Sequence, residues 1–169
     1  MRSEVPAEPE NQGSFVTIRK LREIDLDTVL AIEAEAPEAA NWSKESYLSL
    51  LGEEGSVAFV AVAEGQVVGF LVGRKVADQA DVFNLAVKYE HRGNGFGSRL
   101  LVEALRHFAF HRVQRVFLDV RPSNTKAIAF YEKHGFSGTG ERKGYYRNPD
   151  EPALIMQKKL TAQDQFPTA

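Results

Sequence analysis

The sequence predicts a single α/β domain built on one mixed, mostly antiparallel central sheet, with one parallel crossover and about four flanking helices. Three observations lead there. Apolar runs of strand length recur along the chain, segments with helical spacing separate the later ones, and a glycine-rich turn joins a strand to a helix at mid-chain. The 169 residues suffice for one domain of ordinary size and leave no room for a second enzyme domain.

Phe15, Thr17 and Arg19 alternate with Val16, Ile18 and Lys20, the period-two pattern of a short strand. Asp25 then stands as N-cap of a helix carrying Val29, Leu30 and Ile32, which Pro37 should end. A second helix starts after Ser43, with Tyr47, Leu48 and Leu51 on one side and Gly52 near its end. Residues 57–63 and 67–72, separated by Glu64-Gly65-Gln66, read as a hairpin, and residues 82–87 as a third strand beyond the polar stretch 77–81. From Ser98 onward Leu101, Leu105 and Phe108 recur at helical spacing, giving a helix of about 14 residues.

Residues 116–120 form the next strand, parallel to the one before because a helix crosses between them. A helix over 124–134, closed by Gly135, and an antiparallel pair over 136–142 and 153–159 complete a domain spanning residues 15–160. Residues 1–14, with two prolines and three glutamates, and residues 161–169 offer little apolar surface to bury; both are expected to be flexible tails.

Composition narrows the function. An apolar share of 43% against 26% charged residues calls for a sizeable core. A net charge of -2 without a block of like charges leaves no electrostatic footprint for nucleic acid or an anionic membrane. The absence of cysteine excludes a disulfide framework, a thiolate nucleophile and a Cys-ligated metal. His91, His107, His111 and His134 are scattered without metal-like pairing, so no metal is expected. With no signal-peptide core and no apolar run of about 18 residues, a cytoplasmic protein acting as a monomer is expected.

Between a strand and a helix, Arg92-Gly93-Asn94-Gly95-Phe96-Gly97-Ser98 lets three glycines take φ > 0 and aims several backbone N–H groups at one concavity. The helix start adds partial positive charge, so a pyrophosphate is stabilised there without a metal. The plainer reading is a tight strand-to-helix connection. A dinucleotide fingerprint does not fit, since the spacing is G-x-G-x-G and too few residues follow for two mononucleotide-binding halves; a Walker A loop lacks its Gly-Lys-Ser/Thr.

Here the sequence resembles the GNAT acetyltransferase superfamily, whose acetyl-coenzyme A signature, Gln/Arg-x-x-Gly-x-Gly/Ala, is matched by Arg92, Gly95 and Gly97. The resemblance continues through Phe-Asn-Leu-Ala-Val at 83–87, Asp-Val-Arg-Pro-Ser-Asn at 119–124 and Ala-Phe-Tyr-Glu-Lys-His-Gly-Phe at 129–136, covering roughly residues 15–160 of a GNAT-like fold. Within the superfamily it is similar to the RimI type, which acetylates the N-terminus of a small-subunit ribosomal protein and carries a Tyr-Tyr pair matched by Tyr145 and Tyr146.

The resemblance implies acetyl-CoA as cosubstrate and a protein or peptide N-terminus, that of a ribosomal protein, as acceptor. It implies that Leu85, Ala86 and Val87 meet the acetyl group and pantetheine through strand backbone, that residues Arg92, Gly93, Asn94, Gly95, Phe96, Gly97 and Ser98 hold the pyrophosphate, and that Asn124 contacts the pantetheine arm. Tyr131 corresponds to the tyrosine near the thioester sulfur, the general acid. Asp119 stands where the RimI type has a glutamate as base, and Trp42, with Asn41 before it in place of a proline, joins Tyr145 and Tyr146 in walling the acceptor groove.

The chemistry suits an α-amine. At about pH 7.4 roughly 20 to 30% of an N-terminal amine is unprotonated against about 0.1% of a lysine, so a short Asp working through one water suffices as base. Each residue also has a plainer role: Asp119 accepting from the 123–124 turn, Tyr131 a core aromatic, Asn124 an N-cap, Trp42 a packed loop aromatic, Asp150 and Glu151 an exposed acidic turn rather than a lure for a basic peptide. A small-amine or lysine acetyltransferase and a non-catalytic coenzyme A sensor are the alternative readings.

Overall fold

The computed structural model, which describes residues 15–36 and 39–165, contains one seven-stranded sheet. In chain order the elements are β1 (Val16–Lys20), α1 (Leu26–Ala34), α2 (Lys44–Leu51), β2 (Ser56–Ala63), β3 (Gln66–Val76), β4 (Gln79–Val87), α3 (Phe96–Phe110), β5 (Arg115–Val120), α4 (Thr125–Lys133), β6 (Ser137–Tyr146) and β7 (Glu151–Lys159). The strands lie in the order β1-β2-β3-β4-β5-β7-β6, every neighbouring pair antiparallel except β4 and β5.

Helices cover both faces, which explains the continuous apolar runs of the central strands. On β2, Val57, Phe59, Ala61 and Ala63 join Leu100, Leu101 and Phe108 of α3 in one core, while Val60 joins Leu26, Val29, Ile32 and Tyr47 of α1 and α2 in the other. Ala127 and Ile128 place α4 on the α3 side.

Several boundaries differ from expectation. β3 runs on to Val76 and β4 begins at Gln79, so most of the polar stretch 77–81 is strand, after a tight turn at Ala77, whose φ is 54°. On α2 the buried pair is Tyr47 and Leu50, whereas Leu48 is exposed. Asp25 makes no side-chain cap to α1. Its carboxylate instead takes two bonds from the Arg19 guanidinium, at 2.7 and 2.8 Å, and one from the Arg22 N–H, which lowers its pKa to about 2. The helix α1 ends at Ala34, and Pro37 lies outside the described residues.

The last two strands pair as expected, but β7 inserts between β5 and β6, leaving β6 at the edge. Within the segment expected to be a C-terminal tail, Ala162–Gln165 form a 3-10 turn against α3: Gln165 Nε2 donates to the Ala109 carbonyl at 3.2 Å and Asp164 pairs with Lys158 at 3.3 Å. Residues 1–14 and 166–169 lie outside the described residues.

One distortion positions the site. In the β3–β4 ladder Val72 faces Asn84 and Gly73 faces Val82, so Phe83 is the extra residue of a β-bulge, which bends β4. Glycine is required at 73 because a Cβ there would lie 2.4 Å from the Asp81 carbonyl oxygen. Beyond the bulge β4 leaves β5: their ladder holds only residues 79–81 against 115–117, and the two strands splay apart.

Candidate active site

The splay opens a cleft of about 1250 Å³ between β4 and β5, reaching from the glycine-rich turn to the end of β6. Of the residues singled out from the sequence, it is lined by Leu85, Ala86, Val87, Arg92, Gly93, Gly95, Phe96, Gly97 and Ser98 at one end, and by Trp42, Asp119, Asn124, Tyr131, Tyr145 and Tyr146 toward the other. Asn94 is the exception. Its side-chain amide donates to the His91 carbonyl at 3.2 Å, and the residue is not part of the lining.

At the turn, Gly93 and Gly95 adopt φ of 78° and 81°, and Gly95 serves as left-handed N-cap of α3. No side chain caps this helix. Among the described residues the N–H groups of residues 93–98 have no acceptor, the first bond into the turn being Arg99 N–H to the Gly95 carbonyl at 3.1 Å. Unbonded amides at a helix N-terminus make a cradle suited to an anion, and five of these six residues line the cleft. Arg92 braces it from behind: its Nε donates to the Val87 carbonyl at 3.0 Å and its guanidinium lies 5.5 Å from the Tyr89 ring centroid.

The free edge of β4 continues the cradle. Lys88 N–H bonds back to Val68 on β3, so the two-residue alternation of a strand turns the Val87 N–H to the opposite, open side. A chain laid in the cleft finds unused strand backbone there, because no β5 partner reaches beyond Asp81.

Toward the other end the groups are acidic and aromatic. Asp81 and Phe117 are register partners, and Asp119, two residues on, shares the Phe117 face of β5. Burial first, then the Asp119 charge, pushes the Asp81 carboxyl above its ordinary range, while Arg142 pulls it down. Arg142 Nε lies 3.3 Å from Asp119 Oδ1. A second irregularity, between Arg142 and Tyr146 in the β6–β7 ladder, lets residues 143–145 bulge and brings Tyr145 to the cleft. Burial and then Tyr145 push the Tyr146 phenol up to about 12. Tyr131 packs edge-on against Phe130 and Phe136, and burial raises its phenol pKa.

Plainer roles resolve individually. Asn124 does cap α4, its Oδ1 accepting from Ala127 N–H at 3.1 Å. The turn at 123–124 is bound not by Asp119 but by Glu151, which accepts from Ser123 N–H and Oγ at 3.1 and 2.9 Å and pairs with Arg121 at 3.0 Å. Glu151 is therefore committed internally and is no lure for a peptide. Arg121 also donates to the carbonyls of Arg147 and Pro149 and stacks 4.4 Å from the Tyr146 ring centroid, tying the β6–β7 loop to the end of β5. His107 on α3 and His111 at its C-cap stack at 4.2 Å, a pairing the sequence reading did not foresee; neither lines the cleft. Among the described residues no group of three His, Cys, Asp or Glu side chains could hold a metal ion, and no helix is long and apolar enough to cross a membrane.

Sequence reasoning missed Asp81, Arg142, Phe83 and Asn84, all of which line the cleft. The only available signal was an acid just before the Phe-Asn-Leu-Ala-Val strand.

Comparison with known proteins accords with this geometry. The sequence pattern of the Acetyltransferase (GNAT) family matches residues 20–136. The chain is 34% identical over 142 residues to the ribosomal protein bS18-alanine N-acetyltransferase of Escherichia coli, covering 83% of this chain and 95% of that one. The crystal structure of the ribosomal-protein-alanine N-acetyltransferase from Escherichia coli superposes with a TM-score of 0.78 at 30% identity, covering 87% of this chain and 95% of that one. Ard1 from Thermoplasma volcanium superposes at 0.79 and 31%, covering 86% and 98%.

Proposed function

Because the chain belongs to the GNAT acetyltransferase family, with acetyl-CoA as acyl donor, we propose that its acceptor is the N-terminal α-amine of a protein, the alanine terminus of a ribosomal protein in the cytoplasm, and that it works as a monomer. The single observation that carries this reading is the polarity of the cleft: unused amides at residues 93–98 at one end, the Asp81–Asp119 pair among aromatic walls at the other. Such a cleft suits an anionic donor and a cationic acceptor.

The residues fit the cofactor. The amides of residues 93–98 hold its diphosphate, and the open edge of β4 takes the pantetheine arm by backbone pairing. Bound there, acetyl-CoA supplies the activated acetyl group. Val87 N–H donates to the carbonyl oxygen, a contribution of about 3 kcal/mol to the barrier. Tyr131, kept protonated by burial, donates to the departing sulfur. The phenol pKa exceeds that of a thiol by more than the ordinary ~1.5 units, so hydrogen-bond donation is favoured over completed proton transfer.

The proton lost by the amine goes to the carboxylate pair. Asp119 accepts through a bridging water, and Asp81, its pKa raised by burial and by the Asp119 charge, shares the load. This weak basic help suits an α-amine of pKa ~8, whereas lysine at ~10.4 demands roughly 250-fold more.

Peptides with an Ala N-terminus and one internal lysine, offered with the α-amine free or blocked, test the reading by mass spectrometry. Acetylation of the free α-amine alone is expected; modification confined to lysine would count against it.

A further inference from the structure

Glu33 is 2% exposed and sits in the last turn of α1, where the helix carbonyls already concentrate negative charge. Every group facing it is a donor. Its Oε1 accepts from Trp42 N–H and Asn84 Nδ2, both at 2.9 Å, and its Oε2 from the Tyr47 hydroxyl at 2.8 Å. Asn84 spends its second N–H on the Tyr47 oxygen at 3.0 Å. Such a set uses the carboxylate only as an acceptor, and among the described residues no Lys or Arg forms an ion pair with it. A buried polar side chain held only by neutral donors is a poor way to gain stability, since an apolar side chain of that size would avoid the desolvation.

What Glu33 does hold is geometry. Its donors come from the segment before α2, from α2 itself and from β4, and two of them, Trp42 and Asn84, line the cleft. The Trp42 ring packs 5.2 Å from Tyr47 and 5.7 Å from Phe83, the bulge residue. We propose that Glu33 is a positioning residue for the acceptor: it fixes Trp42 to β4 and so sets the width of the groove that receives the amine. This rests on the amine-acetylating reading above. Glu33 touches neither substrate, and the cradle at residues 93–98 is independent of it.

The chain's single tryptophan makes the test direct. In Glu33→Gln and Tyr47→Phe, the KM for the acceptor peptide is expected to rise about tenfold with the KM for acetyl-CoA unchanged, and the Trp42 emission to shift to the red and quench more readily with acrylamide. Unchanged peptide KM and unchanged emission, with only a lower thermal midpoint, would overturn the proposal and make Glu33 a purely structural buried acid. If Glu33→Gln does not fold, Tyr47→Phe decides by the same readouts. A wild-type enzyme that acetylates lysine alone would sink the α-amine reading while leaving this test intact, since the KM split can be read on the lysine peptide.

Discussion

Arg142, on the edge strand β6, reaches across β7 to set its Nε 3.3 Å from Asp119 Oδ1 on β5. The same guanidinium pulls the Asp81 pKa down, against burial and the Asp119 charge, which raise it. Removing it in Arg142→Gln takes away a cation that lowers the Asp81 pKa, so that pKa rises. The acid limb of kcat/KM should therefore move to higher pH. A pH–rate profile of the two enzymes checks this, and a limb that stays or moves down contradicts it.

The two carboxylates act as one site. Asp119→Asn and Asp81→Asn should each lower kcat by about 10²-fold, and the double variant by little more than the worse single one, because a proton acceptor removed once is gone. Full additivity would assign them separate roles.

Tyr131 should behave differently. Loss of its hydroxyl in Tyr131→Phe removes a donor to the leaving sulfur and leaves the ring packing on Phe130 and Phe136. A fall in kcat of about 10 to 10³-fold is expected with the KM for acetyl-CoA unchanged, measured by steady-state kinetics.

Far from the cleft, Asp25 makes a stability prediction with a definite sign. Its folded pKa, about 2, is below the ordinary carboxylate value because of Arg19 first and the Arg22 N–H next, with burial opposing. The stability it contributes is present in full above about pH 4 and is lost as pH falls toward 2. At neutral pH Asp25→Asn should cost about 2 kcal/mol by urea unfolding, and the gap from wild type should narrow steadily below pH 4.

Much of this could be read along the chain because its causes are local. Gly93 and Gly95 at a strand-to-helix junction announce a turn whose amides point outward, and the alternation within residues 57–63 sorts side chains to two covered faces. What could not be read depends on distant partners. Glu33, between Ile32 and Ala34, looks like any solvated helix acid until Asn84 meets it from 51 residues along the chain. Asp81 belongs to a stretch polar enough to pass for a loop, and its pKa is raised because folding buries it and β5 delivers Asp119 beside it. The place of β7 between β5 and β6 leaves no trace in periodicity, since either neighbour would accept the same apolar pattern. The splay of β4 from β5 follows from a one-residue bulge at Phe83 that local propensity does not mark.

Amide NMR during a coenzyme A titration tests the central claim most directly. The account predicts saturable shifts of the backbone N–H signals of residues 93–98, with Val87 following on the open edge of β4. Binding that moves signals elsewhere and leaves those six unchanged, or no binding at millimolar coenzyme A, would contradict it.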